Sequence, residues 1–279
     1  MRPAQLSTIL DREFLSAQDG HHTPVMLWGP PGVGKSQIIA QVAARHSVPM
    51  IDIRLSQMEP TDLRGIPFRI EDRVEWAIPS MLPDAKRHGP QGILFLDEIT
   101  SAPPSVSAAA YQLILDRRLG AYQIPDGWAI FAAGNRQGDR GVTYTMPAPL
   151  ANRFSHFEVE ANLDDWVAWA YANKIDERLI GFLRFRPELL FDFDPAHNPV
   201  AFPSPRSWSF LTAPCRNSAI TRSYCYPRCK PALARQPALN SMLSSKTLTA
   251  CRIWTRFCVA KKSPYRAKST SSMPLPQPW

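Results

Sequence analysis

Gly29-Pro-Pro-Gly-Val-Gly34-Lys35-Ser36 fits the pattern G-x-x-x-x-G-K-[ST]. Before it, Pro24 to Trp28 is a brief apolar run bounded by Gly and Pro, which predicts a buried strand; after it, Gln37 to His46 predicts a helix. A loop in that setting points main-chain N–H groups, and the partial positive charge of a helix N-terminus, at one anion. Gly29, Pro30, Pro31, Gly32, Val33 and Gly34 would then wrap a phosphate without side-chain clash. Lys35 would reach the β- and γ-phosphates of a triphosphate, and the Ser36 hydroxyl would be a ligand for Mg²⁺. The competing reading is a plain Gly/Pro surface turn, which the flanking strand and helix disfavour.

Further along, Ile93-Leu-Phe-Leu-Asp97-Glu98 ends an apolar stretch on two acids. Gly92 to Leu96 is the clearest buried strand of the chain, apolar on both faces. Carboxylates emerging from such a strand are costly unless they meet a cation or water. At the carboxyl edge of an open parallel sheet they stand where ligands collect. Asp97, 61 residues after Ser36, is the candidate partner of Mg²⁺, directly or through water. Glu98 is the candidate base for an attacking water. The pattern alone also suits a helix cap; the phosphate loop upstream is what gives it weight.

Around these two motifs the chain predicts alternating elements. A short leading helix spans Leu6 to Phe14, strands cover Val48 to Ile53, Gly127 to Ala133 and Phe154 to Val159, and a helix covers Ser105 to Arg118. The stretch from Gln57 to Pro83 reads as irregular, with a hairpin from Arg69 to Ala77. After Asn162, whose acids Asp164 and Asp165 suit a helix opening, the text turns helical to Phe185. Strand–helix alternation implies βαβ units, a parallel sheet and an α/β fold, followed by a smaller helical part.

Charge is partitioned sharply. All 24 Asp and Glu lie at or before Asp194, so the net charge is −5 up to that residue and +13 beyond it. At a typical acidic share of about 12 %, 85 acid-free residues have a chance of roughly 10⁻⁵. The basic character therefore belongs to the tail and says nothing of nucleic-acid binding by the body. The five cysteines, Cys215, Cys225, Cys229, Cys251 and Cys258, share the tail and lack paired zinc spacing. From Leu211 onward periodicity disappears. Two readings stand: a disordered basic arm for nucleic acid or an acidic partner, or a non-native translation after a shift of frame. Cysteine enrichment with interspersed aromatics favours the second. The beginning of the chain has no continuous apolar core of a secretory signal, and no run approaches the roughly 20 residues of a membrane span, so a cytoplasmic protein is expected.

With both motifs quoted, the chain resembles the AAA+ superfamily, and more narrowly the MoxR-type and dynein-related ATPases, over Leu6 to Phe210. Pro60-Thr-Asp62-Leu-Arg-Gly65 is similar to the segment after that group's second strand. Ala132-Ala-Gly-Asn135, Leu150-Ala-Asn-Arg153-Phe154 and Ser204-Pro-Arg206-Ser-Trp208 are similar to sensor 1, the arginine finger and sensor 2, in the expected order. The resemblance implies a P-loop NTPase fold with a five-stranded parallel sheet flanked by helices, then a small α-helical lid. It divides the chain into a nucleotide-binding core (1–160), the start of a lid (161–210) and an irregular tail (211–279) in which the lid's remaining helices find no match. It also implies ATP and Mg²⁺ as ligands, a ring oligomer, a hexamer in this group, and a protein substrate or a von Willebrand factor A-type partner. Asn135 would hold the lytic water, Arg153 would serve a neighbour's nucleotide, and Arg206 would reach the γ-phosphate of its own subunit. Arg136 and Arg140 are rival fingers. The activity expected is ATP hydrolysis in a chaperone-like remodeller; the alternative is a nucleotide-binding subunit with little turnover, and less favoured is a DNA-directed motor using the tail.

Other features carry blander readings. His21 and His22 are expected in a solvated approach to the first strand, and Arg117 and Arg118 closing a helix against its dipole. Trp166 and Trp169 are expected in the core. Arg64 to Ala77 and Leu119 to Ile124 resemble hairpin insertions of the family, facing a pore or partner, with ordinary sheet edges as the alternative.

Overall fold

The computed structural model describes residues 1–136, 138–139, 143–194 and 202–210. The chain separates into two units, Met1–Ser223 and Tyr224–Trp279, and every described residue belongs to the first. Arg140, the cysteines and the tail from 211 onward therefore lie outside the described residues.

The elements run α1 (Pro3–Gln18), β1 (Val25–Trp28), α2 (Lys35–Arg45), β2 (Met50–Arg54), α3 (Pro60–Arg64), β3 (Ile66–Ile70), β4 (Arg73–Ala77), α4 (Ala85–His88) and β5 (Gln91–Asp97). They continue α5 (Pro104–Asp116), β6 (Arg118–Leu119), β7 (Tyr122–Gln123), β8 (Gly127–Gly134), α6 (Ala148–Ala151), β9 (Ser155–Glu158), α7 (Leu163–Ala172), α8 (Glu177–Phe185) and α9 (Pro205–Phe210). Five strands form one parallel sheet in the order β2-β5-β8-β1-β9. This is the α/β P-loop NTPase architecture the sequence predicts, with the second sequence strand at the edge and the phosphate-loop strand inside.

The central strands are apolar on both faces because each face packs a helical layer. One face, with Leu27, Ile93, Phe95 and Phe131, meets α1 and α2 through Leu6, Leu10, Ile39 and Val42. The other, with Met26, Leu94, Leu96 and Ile130, meets α5 through Val106, Ala110 and Leu113. Burial of a Leu or Ile stabilises by about 1.5–3 kcal/mol, so these two layers fix the sheet and all that hangs from its carboxyl edge.

Several boundaries differ from the sequence reading. The leading helix extends from Pro3, a favoured first-turn residue, to Gln18. The helical stretch after Asn162 is two helices: Asn162 Oδ1 caps α7 by accepting from the Asp165 N–H, and Asp176 opens α8 by accepting from the Arg178 N–H. The stretch read as irregular contains α3, closed by a reciprocal Glu59–Asp62 capping box, and a hairpin that begins at Ile66 rather than Arg69. His22 is not in a solvated approach: its Nε2 accepts the Ile130 N–H at 2.7 Å, one residue before β8 begins to pair with β1. That burial pushes its pKa down to about 4, with the nearby Arg117 charge adding to the effect. Arg117 closes α5 as expected, at the helix C-cap with φ 53°, and in addition its Nη2 donates to the carbonyls of Pro125 and Trp128 at 2.9 and 2.8 Å, pinning the turn that leads into β8. Trp166 is buried as expected, while Trp169 lines a cleft. Both family-like hairpins form, as β3–β4 and β6–β7. Among the described residues no helix is long and apolar enough to cross a membrane.

Candidate functional site

The phosphate loop joins β1 to α2 as the sequence predicts, and two of its glycines, Gly29 and Gly32, are required by close packing. A Cβ on Gly29 would stand 2.9 Å from the Val159 carbonyl oxygen, and one on Gly32 would stand 2.8 Å from Ser204 Oγ. Gly32 and Gly34 also hold φ of 85° and 102°, which side chains rarely adopt. Gly34 is the residue preceding α2, so Lys35 and Ser36 form that helix's first turn.

Lys35 is buried, and its ammonium donates to Gly29 O at 2.6 Å, Pro30 O at 3.2 Å and Asn135 Oδ1 at 3.2 Å. Burial pushes its pKa down to about 8; Asp97 and Asp139 oppose the shift, while Arg206 and Arg136 add to it. Lys35, Asn135 and Arg206 thus belong to one electrostatic neighbourhood, although 100 and more residues separate the first from the others.

Ser36 Oγ donates to Asp97 Oδ2 at 3.2 Å. This contact brings the loop and the acids of β5 together, and it is the geometry on which the sequence reading depends. A hydroxyl beside a carboxylate suits a hard cation that keeps water and phosphate oxygens for most of its shell, so these residues fit Mg²⁺. The other oxygen of Asp97 accepts the Glu98 N–H at 2.9 Å. Glu98 follows with φ 57°, a left-handed conformation costing of order 1 kcal/mol. The Ser56 hydroxyl donates to its carboxylate. Ser56 lies just beyond β2, beside β5 in the sheet, and sequence reasoning missed it. Its only signal is a hydroxyl following a strand that pairs with the acidic one. Asp52, on the same strand, is held above the ordinary carboxylate range by burial, and then by the charge of Asp97.

Asn135 follows β8 directly, and the Thr100 hydroxyl fixes it from two sides: Thr100 Oγ1 accepts the Asn135 N–H at 3.1 Å and contacts its carbonyl oxygen at 3.4 Å. Thr100 is a second residue that the sequence left unmarked. Arg136, the next residue, is tied within its own chain: its N–H donates to Asp139 Oδ2 at 3.0 Å, and its guanidinium meets Asp139 and Glu158, each at 3.5 Å. Arg153 is different. It sits between Leu150 and Phe154, both buried, and is itself exposed with no ion-pair partner among the described residues. Arg206 opens α9 beside the loop, where its N–H donates to Gly32 O at 3.2 Å. The structure therefore gathers Lys35, Ser36, Asp97, Asn135 and Arg206 and leaves Arg153 facing outward. A cleft of about 760 Å³ runs from Val33 and Gly34 past Ala4, Trp169 and Arg206, wide enough for the rest of a nucleotide.

Residues 24–154 match the family described as AAA domain (dynein-related subfamily). The chain is 27 % identical over 158 residues to Midasin of Giardia intestinalis, a match covering 54 % of this chain and 3 % of that protein. It is 32 % identical over 99 residues to the denitrification regulatory protein NirQ of Pseudomonas aeruginosa, covering 35 % and 37 %. The chain thus spans well under half the length of these curated relatives. Among solved structures it is similar to a putative ATPase from Cytophaga hutchinsonii, with 14 % identity, coverage of 75 % and 58 %, and a TM-score of 0.42. It is also similar to the RuvB Holliday junction branch migration motor of Thermotoga maritima, with 17 % identity, coverage of 79 % and 66 %, and a TM-score of 0.45. The segment that matches the AAA domain family thus holds the loop around Lys35, Asp97, Glu98 and Asn135, the residues that the fold brings to the carboxyl edge of the sheet.

Proposed function

We propose that this chain binds Mg-ATP and hydrolyses it within a ring oligomer of the MoxR-like kind, a hexamer, coupling turnover to the remodelling of a protein partner. The observation that carries the ATPase half is the Ser36–Asp97 hydrogen bond, with Lys35 bridging the loop to Asn135.

The chemistry follows from where charge develops. The loop amides and Lys35 hold the β- and γ-phosphates, and Lys35 releases its bonds to Gly29 O and Pro30 O to do so. Ser36 and Asp97 would hold Mg²⁺, which neutralises charge on the phosphate oxygens when bound. Asn135 positions a water in line with the γ-phosphate, and Glu98 accepts its proton. Arg206 meets the same phosphate from the lid, and Arg153 of a neighbouring subunit neutralises charge growing on the transferred phosphoryl group. The exposure of Arg153, against the tethering of Arg136 to Asp139 and Glu158, favours Arg153 as the finger.

Purified protein with Mg-ATP tests this: turnover should exceed that of a Glu98→Gln variant by at least a hundredfold, with ATP binding preserved in both. Binding with no excess turnover would leave the second reading, a nucleotide-binding subunit with little hydrolysis. The Ser56–Glu98 contact favours that reading as the state of the isolated chain, because it ties the base to the turn after β2. A von Willebrand factor A-type protein is the partner proposed by family likeness, and the exposed β3–β4 hairpin, with Ile66, Phe68, Val74 and Trp76 in solvent, offers it a surface. The DNA-motor reading rests on residues 211–279, outside the described residues; it requires DNA-stimulated turnover.

A further inference from the structure

Trp28 is the last residue of β1 and stands immediately before Gly29 of the phosphate loop. Its indole N–H donates to His156 Nδ1 at 2.8 Å, and the rings lie nearly parallel, 20° apart. An indole N–H can only donate, so Nδ1 must accept, and the imidazole proton sits on Nε2. Nε2 lies 2.8 Å from the carbonyl oxygen of Ala151, which can only accept. The direction of both bonds is thereby settled: Trp28 to His156 to Ala151.

The placement of the two ends gives the chain of bonds its interest. His156 pairs in register with Met26 on the neighbouring parallel strand, so it shares a sheet face with Met26 and Trp28. Ala151 is the last residue of α6, two positions before Arg153. Leu150 and Phe154 anchor the same turn in the core, where they fix its depth, and Phe154 also packs on the His156 ring, 6.1 Å between centroids. Neither apolar anchor fixes how the turn is rotated about the line joining them. Directional bonds do: the Ala151 carbonyl accepts the Phe154 N–H at 3.1 Å within the turn and the His156 Nε2–H from the neighbouring strand.

We propose that His156 is a positioning residue for Arg153, and that the Trp28–His156–Ala151 chain couples the phosphate loop of one subunit to the arginine it lends to its neighbour. The inference rests on Arg153 acting in trans. A shift of Trp28 as the loop closes on a nucleotide is transmitted through two hydrogen bonds to the end of α6, so occupancy at one site sets the readiness of the finger at the next. Both bonds are solvent-accessible. The expected loss on breaking them is about tenfold, well below that of removing Arg153 itself.

The full chain is compared with Trp28→Phe, which deletes only the indole donor, His156→Phe, which deletes both ring nitrogens, Arg153→Ala, and the double variants. Three quantities are read: kcat, the dissociation constant for ATP, and Mg-ATP-dependent self-association by sedimentation in a Glu98→Gln background, which needs no turnover. The proposal expects Arg153→Ala to lower kcat about 10³-fold and to weaken ATP-dependent association. Trp28→Phe and His156→Phe should each lower kcat about tenfold and weaken association in the same direction, with ATP affinity within twofold of the parent. Neither should add to the loss in the Arg153→Ala background. Parent-like behaviour of both ring variants, in association and in turnover, overturns the coupling while leaving the finger intact. Losses that add fully to Arg153→Ala, or that come with weakened ATP affinity, reduce His156 to a merely structural residue and also overturn it. If Arg153→Ala itself alters neither turnover nor association, the finger assignment falls first and this proposal with it.

Discussion

Lys35 and Arg153 are both cations of the matched AAA segment, and the fold treats them in opposite ways. Lys35 is buried with three acceptors around its ammonium; Arg153 is exposed with no ion-pair partner among the described residues. Lys35 and Ser36, proposed to grip the chain's own ligand, are internally bonded, so the fold pre-forms that part of the site. The proposed role of Arg153 toward a neighbour suits a side chain left unpaired, because one already paired would have to break that pair in order to act. Arg136 illustrates the converse: two carboxylates hold it at home.

This contrast can be broken at either end. The largest expected effect is at the outward side. Arg153→Ala should lower kcat by about 10³-fold or more, the usual worth of an arginine finger, and leave ATP affinity and thermal stability unchanged. A loss of affinity of the same size, measured by titration calorimetry, would show that Arg153 serves its own subunit instead. Next, Glu98→Gln should lower kcat by about 10²–10⁴-fold with binding retained, because it removes the base and preserves the shape.

Changes on the inner side should cost stability as well as activity. His22 belongs to this side, since it holds β8, the strand that delivers Asn135. Its pKa in the folded chain is pushed down to about 4 by burial, against about 6.5 when unfolded. Its contribution is therefore fully present above pH 6.5 and is lost as pH falls from 6.5 toward 4, by up to about 3 kcal/mol. Urea titrations at pH 7.5 and 5 should reveal that slope, and His22→Gln should flatten it. Gly32→Ala should cost about 1–3 kcal/mol, because its new methyl group would meet Ser204 at 2.8 Å and the backbone would be strained at φ 85°. A melting temperature equal to the parent's would mean that α9 does not rest on the loop.

The smallest expected effect lies on the β3–β4 hairpin. Trp76→Ser and Val74→Ser remove apolar surface that solvent already reaches, so stability should change by only about 0.5 kcal/mol. Capture of a protein partner, scored by pull-down, should nevertheless weaken. An unchanged capture would limit the hairpin to an exposed loop of the fold.

Much of this could be read from residue order. The loop and its lysine follow from glycine spacing between a strand and a helix, and the acids from their place at the end of a doubly apolar run. Asn135 needs more than its local text, since asparagines end strands for many reasons; here its contact with Lys35, 100 residues earlier, is what places it in the site. Ser56 and Thr100 gave no signal that could be used before the strand pairing was known. A serine after one strand and a threonine after another become significant only when parallel pairing sets β2 beside β5 and β5 beside β8. His22 was misread for the same reason: its partner is a backbone N–H 108 residues away.

The sequence by itself determined the α/β class, the phosphate grip and the two acids, because local spacing and hydrophobic period are written in consecutive residues. Only the tertiary structure decided which hydroxyl holds Glu98, which arginine is tethered and which is open, and that His156 ties the loop strand to the turn bearing Arg153. Those outcomes depend on the order of strands across the sheet, and that order is set by how the two helical layers share the apolar faces rather than by any neighbouring residue along the chain.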